Sequence, residues 1–187
     1  MVIIHSEVAK SKLKGTVIDI ETIGDFCGHQ DSRHYQDIRP VIFGYIDGNG
    51  LQIFCAKCNN SIGKLKATIA EIVPHLEKPL YAFNCCFEQG VLFHSCGIVL
   101  NFDGELTKKK FERKRDAVAS LGIERYDDPF DDTGFECKLA WEKGNTKLSI
   151  SHNRSCLLKE RDILLKRGYR TPEHLDLVEK ATSTNRN

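Results

Sequence analysis

At 187 residues and 41% hydrophobic, the chain can bury a core of its own and fits one domain. Its formal charge of +1 excludes a uniformly basic polyanion binder, so contact with nucleic acid would need a local patch. No charged-then-apolar leader follows Met1 and no apolar run is long enough to span a bilayer. We therefore expect a cytoplasmic protein without membrane attachment, its eight cysteines reduced and mostly buried.

Val2 to His5 reads as a short strand. Residues 16–21 of Gly15-Thr16-Val17-Ile18-Asp19-Ile20-Glu21-Thr22 form a second, because β-branched residues dominate a short apolar run. Gly24 to Pro40 is polar and aperiodic, a loop beside that strand. Val41 to Ile46 and Leu51 to Phe54 read as strands about the turn Asp47-Gly48-Asn49-Gly50, giving an antiparallel meander of three with residues 16–21. Apolar positions 62, 65, 69, 72, 73 and 76 predict an amphipathic helix from Ile62 to Leu76. Leu80 to Phe83 is a buried strand. A helix from Cys86 to Cys96 then ends at Gly97, and Ile98 to Leu100 is a candidate fifth strand.

Residues 107–121 predict a basic helix, with Lys108, Lys109, Lys110, Arg113, Lys114 and Arg115 against Glu112 and Asp116. It suits phosphate contact or a solvated face. Residues 124–136 answer it with Glu124, Asp127, Asp128, Asp131, Asp132 and Glu136, a lid or a second metal locus. A short helix is expected over 133–144 and a longer one from Ser149 or Ser151 to Arg167, closed by Gly168. Thr171-Pro172-Glu173 predicts a further short helix. The domain is expected to span 1–180, with 181–187 as a frayed tail.

Three groups could carry chemistry. Asp19 and Glu21 share one face of a strand, about 7 Å apart along the chain, and an apolar setting makes two acids a candidate hard-cation site. A solvated edge strand is the plainer account of the same pair. Asn84-Cys85-Cys86-Phe87-Glu88 opens a helix with an acid in its first turn. Ser151 to Asp162 places His152 one turn before Cys156 and two turns before Glu160. At about 100° per residue from Cys156, Glu160 falls at about 40°, inside the apolar arc of Ile163 and Leu164. Asp162 falls at about 240°, in the polar gap. A buried acid needs a partner, so Glu160 is preferred to Asp162.

These motifs resemble those of the DEDD 3′–5′ exonucleases in the ribonuclease H-like superfamily. Asp19-Ile20-Glu21-Thr22 looks like the first motif, Asn84 to Glu88 the second with Glu for the usual Asp, and His152 opens a third. Cys156 and Leu157 stand where the family's last Asp falls, which leaves Glu160 as the substitute. The resemblance implies an α/β fold: a five-stranded mixed sheet with an initial antiparallel meander, flanked by helices. It implies two-metal hydrolysis of DNA or RNA, on a single-stranded end. Mg²⁺ or Mn²⁺ would be held by Asp19, Glu21, Glu88 and Glu160, and His152 would orient or deprotonate the water. Asn84, Lys109, Lys110 and Arg113 would contact the nucleic acid. The missing Asp keeps an inactive nucleic-acid or protein binding module in view. Cys55-Ala56-Lys57-Cys58 is a lone CxxC, read as a turn with buried thiols before zinc or redox chemistry.

Overall fold

The computed structural model describes residues 1–168 and 170–180. Its centre is a mixed sheet of seven strands in the order β6-β5-β2-β3-β4-β1-β7. These are β1 (Val2–Val8), β2 (Thr16–Ile23), β3 (Arg39–Asp47), β4 (Gly50–Ala56), β5 (Leu80–Ala82), β6 (Gly104–Glu105) and β7 (Val178–Glu179). β2, β3 and β4 form the antiparallel meander, with Asp19 opposite Gly44 and Asp47 opposite Gly50. β5 runs parallel to β2, and β6 parallel to β5.

The sheet exceeds the expected five strands. β1 runs the full length of β4, and β7 then pairs with β1, which adds two strands beyond the meander. The last parallel strand is Gly104–Glu105 rather than Ile98 to Leu100, because Gly97 caps the helix before it with φ +69 and the chain needs several more residues to return to the sheet.

The helices are α1 (Ile62–Ile72), α2 (Cys85–Cys96), α3 (Lys114–Leu121), α4 (Gly134–Glu142) and α5 (Thr146–Arg167). α1 and α5 both pack on β3 and β4, one on each face. Consecutive burial from Val41 to Gly44 agrees, since a strand covered on both faces needs no polar alternation. α2 joins the α1 layer, and α3 and α4 join α5.

Two expected helices are corrected. The basic helix begins only at Lys114. Phe111 takes φ +66 and stands exposed, and the Lys108 amide bonds to the Glu112 carboxylate, which also holds Arg167. Lys108, Lys109 and Lys110 in succession repel each other, while Glu112 is engaged by α5. The first turn of a helix therefore has no local support there. Thr171 to Leu177 is irregular: Glu173 is drawn to Ser11, Lys12 and Arg161, and Pro172 opens no helix. The tail from Ala181 lies outside the described residues.

Gly44 sets the closeness of α5 to the sheet. A β-carbon there would stand 2.1 Å from Asn153 Oδ1 and 2.9 Å from Leu157 Cδ1. Only a residue without a side chain lets α5 descend onto β3 beside Asp19.

Candidate functional site

β2 is an interior strand between β5 and β3, so its acids are buried with it. Asp19 is 6% exposed and Glu21 9%. Both project toward a cleft of about 630 Å³ that Asn84, Glu88, Lys114, His152 and Cys156 also line. Asn84 caps α2 by accepting from the Phe87 amide at 3.4 Å, which fixes Glu88 in the first turn. Glu160 descends from α5 and is fully buried. Four carboxylates from β2, α2 and α5 thus share one place. The structure puts Asp162 elsewhere, bonded to the Tyr126 hydroxyl and to Arg161 at 2.8 Å.

One cation answers these acids directly. Lys114 Nζ donates to Asp19 Oδ1 at 3.0 Å and stands 2.6 Å from Glu160 Oε1. The Glu160 contact is off the hydrogen-bonding direction. Neither Glu160 oxygen, nor Glu88 Oε2, has a hydrogen-bond partner among the described residues. Asn153 Nδ2 donates to Asp19 Oδ2 at 2.7 Å, so both Asp19 oxygens are engaged.

His152 is held from behind. Its Nδ1 donates to Asp128 Oδ1 at 2.7 Å, which turns Nε2 toward Glu21 Oε1 at 3.5 Å and Cys156 Sγ at 3.7 Å. Asp128 in turn accepts from Lys159 at 2.5 Å and from the amides of Phe130 and Asp132 at 3.0 Å. Lys159 also reaches Asp132 at 2.8 Å. The acidic segment is therefore tied into α5 by two of its acids. Those bonds hold Tyr126, Asp127, Asp131 and Asp132 at positive φ, a conformation that costs side-chain-bearing residues about 1 kcal/mol or more each. The first residue of α4, Gly134, abuts Glu21: a β-carbon there would lie 3.6 Å from Oε2.

Burial and charge pull these groups apart in acidity. Burial pushes the Asp19 carboxyl up most, but the Lys114 ammonium, a hydrogen bond with Glu160 and the His152 charge together bring it below its ordinary value. Glu160 goes well above, from burial first, with Lys114 only partly offsetting it and Asp19 adding to it. Glu88 also rises well above, through burial and the charges of Glu160 and Asp19. Burial raises Glu21 to about 7 against the pull of His152. Burial opposes the His152 imidazolium, yet Cys156 and Glu21 hold its pKa up to about 11.

The sequence-level candidates divide as follows. Asp19, Glu21, Glu88, His152 and Asn84 line the cleft, and Glu160 joins them through Lys114. Lys109, Lys110 and Arg113 are exposed on the segment before α3, outside the cleft lining. Lys114, read as part of that basic run, points inward, its side chain only 16% exposed. Asn153 and Cys156 have no assigned role in the sequence reading, and Asp128 stands there only as one acid of the 124–136 segment. The signal for Cys156 was present, because it lies one helical turn from His152. Cys55 is buried in β4 and Cys58 is exposed beside Ser61, with no further cysteine gathered to them among the described residues.

Comparison with family models, curated proteins and solved structures finds no match to this chain. No helix among the described residues is long and apolar enough to cross a membrane.

Proposed function

We propose that the chain is a metal-dependent 3′–5′ exonuclease that hydrolyses phosphodiester bonds of DNA or RNA. The observation that carries this reading is the convergence of the buried carboxylates of Asp19, Glu21, Glu88 and Glu160, with Glu88 Oε2 lacking a partner among the described residues. Hard oxygen donors of this kind fit Mg²⁺ or Mn²⁺. The inner strand order β6-β5-β2-β3-β4, with β2 parallel to β5 and antiparallel to β3, supports a ribonuclease H-like arrangement.

Two bound ions would supply Lewis acidity and an acidified water. The chain's own residues do the rest. Asp128 fixes the His152 ring so that Nε2 faces the cleft, where the imidazolium can orient the attacking water. Phe26 and Phe135, 57% and 62% exposed, flank the cleft and offer faces on which bases can stack. Lys114 supplies positive charge at the same point.

Lys114 also carries a second reading. An ammonium between Asp19 and Glu160 neutralises the pair without a metal, which favours an inactive nucleic-acid or protein binding module. One assay separates the two. End-labelled single-stranded DNA and RNA are incubated with EDTA, Mg²⁺ or Mn²⁺, using wild type, Asp19→Asn, Glu160→Gln and Asp162→Asn. Metal-dependent shortening from the 3′ end, lost in the first two variants and kept in the third, supports the nuclease. Oligonucleotide binding with no cleavage in any arm supports the module.

A further inference from the structure

Two chemically different donor sets meet at β2. Asp19, Glu88 and Glu160 offer only oxygen. In the other set Glu21, His152 and Cys156 each present one donor atom, all within 4.8 Å of one another. That is an oxygen, a nitrogen and a sulfur, from β2 and from two positions one turn apart on α5. All three residues are 9% exposed or less, and all three line the cleft.

The spacings fit a small tetrahedral ion. With metal–nitrogen near 2.05 Å and metal–sulfur near 2.3 Å, two ligands at the tetrahedral angle stand about 3.6 Å apart. For nitrogen and oxygen the figure is about 3.3 Å. Here His152 Nε2 lies 3.7 Å from Cys156 Sγ and 3.5 Å from Glu21 Oε1. A second observation points the same way. A metal-ligating histidine generally donates its other ring N–H to a carboxylate, which fixes the tautomer. Asp128 accepts from His152 Nδ1 at 2.7 Å, and Lys159 holds Asp128 in place. Glu88 Oε2, buried and without a partner among the described residues, lines the same cleft.

We propose that Glu21, His152 and Cys156 form a binding site for a borderline transition-metal ion, zinc above all, distinct in class from the oxygen-only set of Asp19, Glu88 and Glu160. Thiolate and imidazole together select such ions over Mg²⁺, which demands oxygen and an octahedral shell. Three protein ligands leave a position open, the pattern of a catalytic zinc and not of a closed structural one. His152 is then a ligand, and its role as base for the oxygen-ligated site falls away. This inference shares Glu21 and His152 with the nuclease reading but stands whether or not the chain cuts nucleic acid.

The test uses the full chain stripped of metal and titrated with Co²⁺, which reports thiolate ligation by a near-ultraviolet charge-transfer band. The band should saturate at one equivalent, be displaced by Zn²⁺, and resist a large excess of Mg²⁺. Cys156→Ser should abolish it, while Cys58→Ser, at an exposed thiol, should leave it intact. Asp128→Asn should weaken Zn²⁺ binding about 10- to 100-fold, the usual effect of losing a histidine's supporting carboxylate. Thermal melts of each variant show that it is folded, and Cys156→Ser, nearly isosteric, keeps the test sound if Asp128→Asn fails to fold. A band that survives Cys156→Ser, disappears in Cys58→Ser, or never forms overturns the proposal. A chain that cleaves with Mg²⁺ yet shows no band refutes this inference alone. One that binds Co²⁺ through Cys156 and cleaves nothing refutes only the nuclease.

Discussion

Replacing Lys114 by Met keeps the aliphatic stem and removes the charge. In the wild type the ammonium faces Asp19 and Glu160, whose side chains are 8% and 0% exposed. Breaking a buried ion pair by deleting one partner costs about 3–5 kcal/mol, because the remaining charge has no solvent to turn to. Here the carboxyls can take up protons instead, so we expect the lower end, about 3 kcal/mol. For a chain of this size that is a fall in Tm of about 6–12 °C in EDTA. Divalent ions should then repair the variant. An ion at 100 times its Kd adds about 2.7 kcal/mol to the folded state. In Lys114→Met the ion meets no ammonium competitor, so Mg²⁺ or Mn²⁺ should raise its Tm further than the wild type's. The assay is a set of thermal melts with EDTA, Mg²⁺ and Mn²⁺ for both proteins. If the variant melts with the wild type in EDTA, Lys114 is not the counter-charge of the site. If the ions raise both proteins equally, the ammonium and the metal do not compete for the same carboxylates.

Gly44→Ala should cost about 2 kcal/mol by overpacking, and should weaken divalent-ion binding as well, since α5 must lift Asn153 from Asp19; a melt and a metal titration together check it. Glu7 is buried, and although burial raises its carboxyl, hydrogen bonds from His5 and Arg154 bring the pKa down to about 2. Its contribution is therefore full above the unfolded value near 4.5 and is lost as pH falls toward 2. Glu7→Gln should cost about 2 kcal/mol at pH 7, a discounted figure for a pair open on the Arg154 side, and its Tm should converge on the wild type's as pH falls from 4.5 toward 2. Charge reversal at Lys109 and Lys110, both exposed, should weaken oligonucleotide binding and flatten its salt dependence without moving Tm. An unchanged salt slope assigns that segment to ordinary surface.

Much of the fold was legible because local signals agreed with the final structure. The meander, α1, α2 with its Gly97 cap, and α5 follow from periodicity, turn residues and capping. β6 and β7 were not legible, since a two-residue strand has no pattern of its own and exists only where a neighbour offers backbone partners. In the site, the angular position of Glu160 pointed to its place beside Asp19, but the expected polar gap is not there: Asp162 and Lys159 are buried as well, because residues 124–132 cover that side of α5. Lys114 could not be read the same way. It stands in a run of cations that differ only in which way they point, and that direction is set by where α3 begins. Asp128 was equally hidden among six acids, because its distinction is long-range: it meets His152 and Lys159 across an intervening helix. Gly44 did leave a trace, a glycine inside an apolar strand, which marks a close backbone approach.

Both edges of the sheet end in strands of two residues, each carrying an exposed glutamate, Glu105 on one side and Glu179 on the other. So short an edge gives another chain almost no ladder to extend, and a charge opposes the attempt. On the far side the protection is thin. β1 is seven residues long, and the segment that covers it pairs only with Glu7 and Val8, aided by a bond from the Lys180 amide to Ser6. A chain cut after Leu177 would expose β1 as the outermost strand, with Ile4 already turned to solvent. Residues 178–180 thus govern whether this protein stays apart from its own copies in concentrated solution.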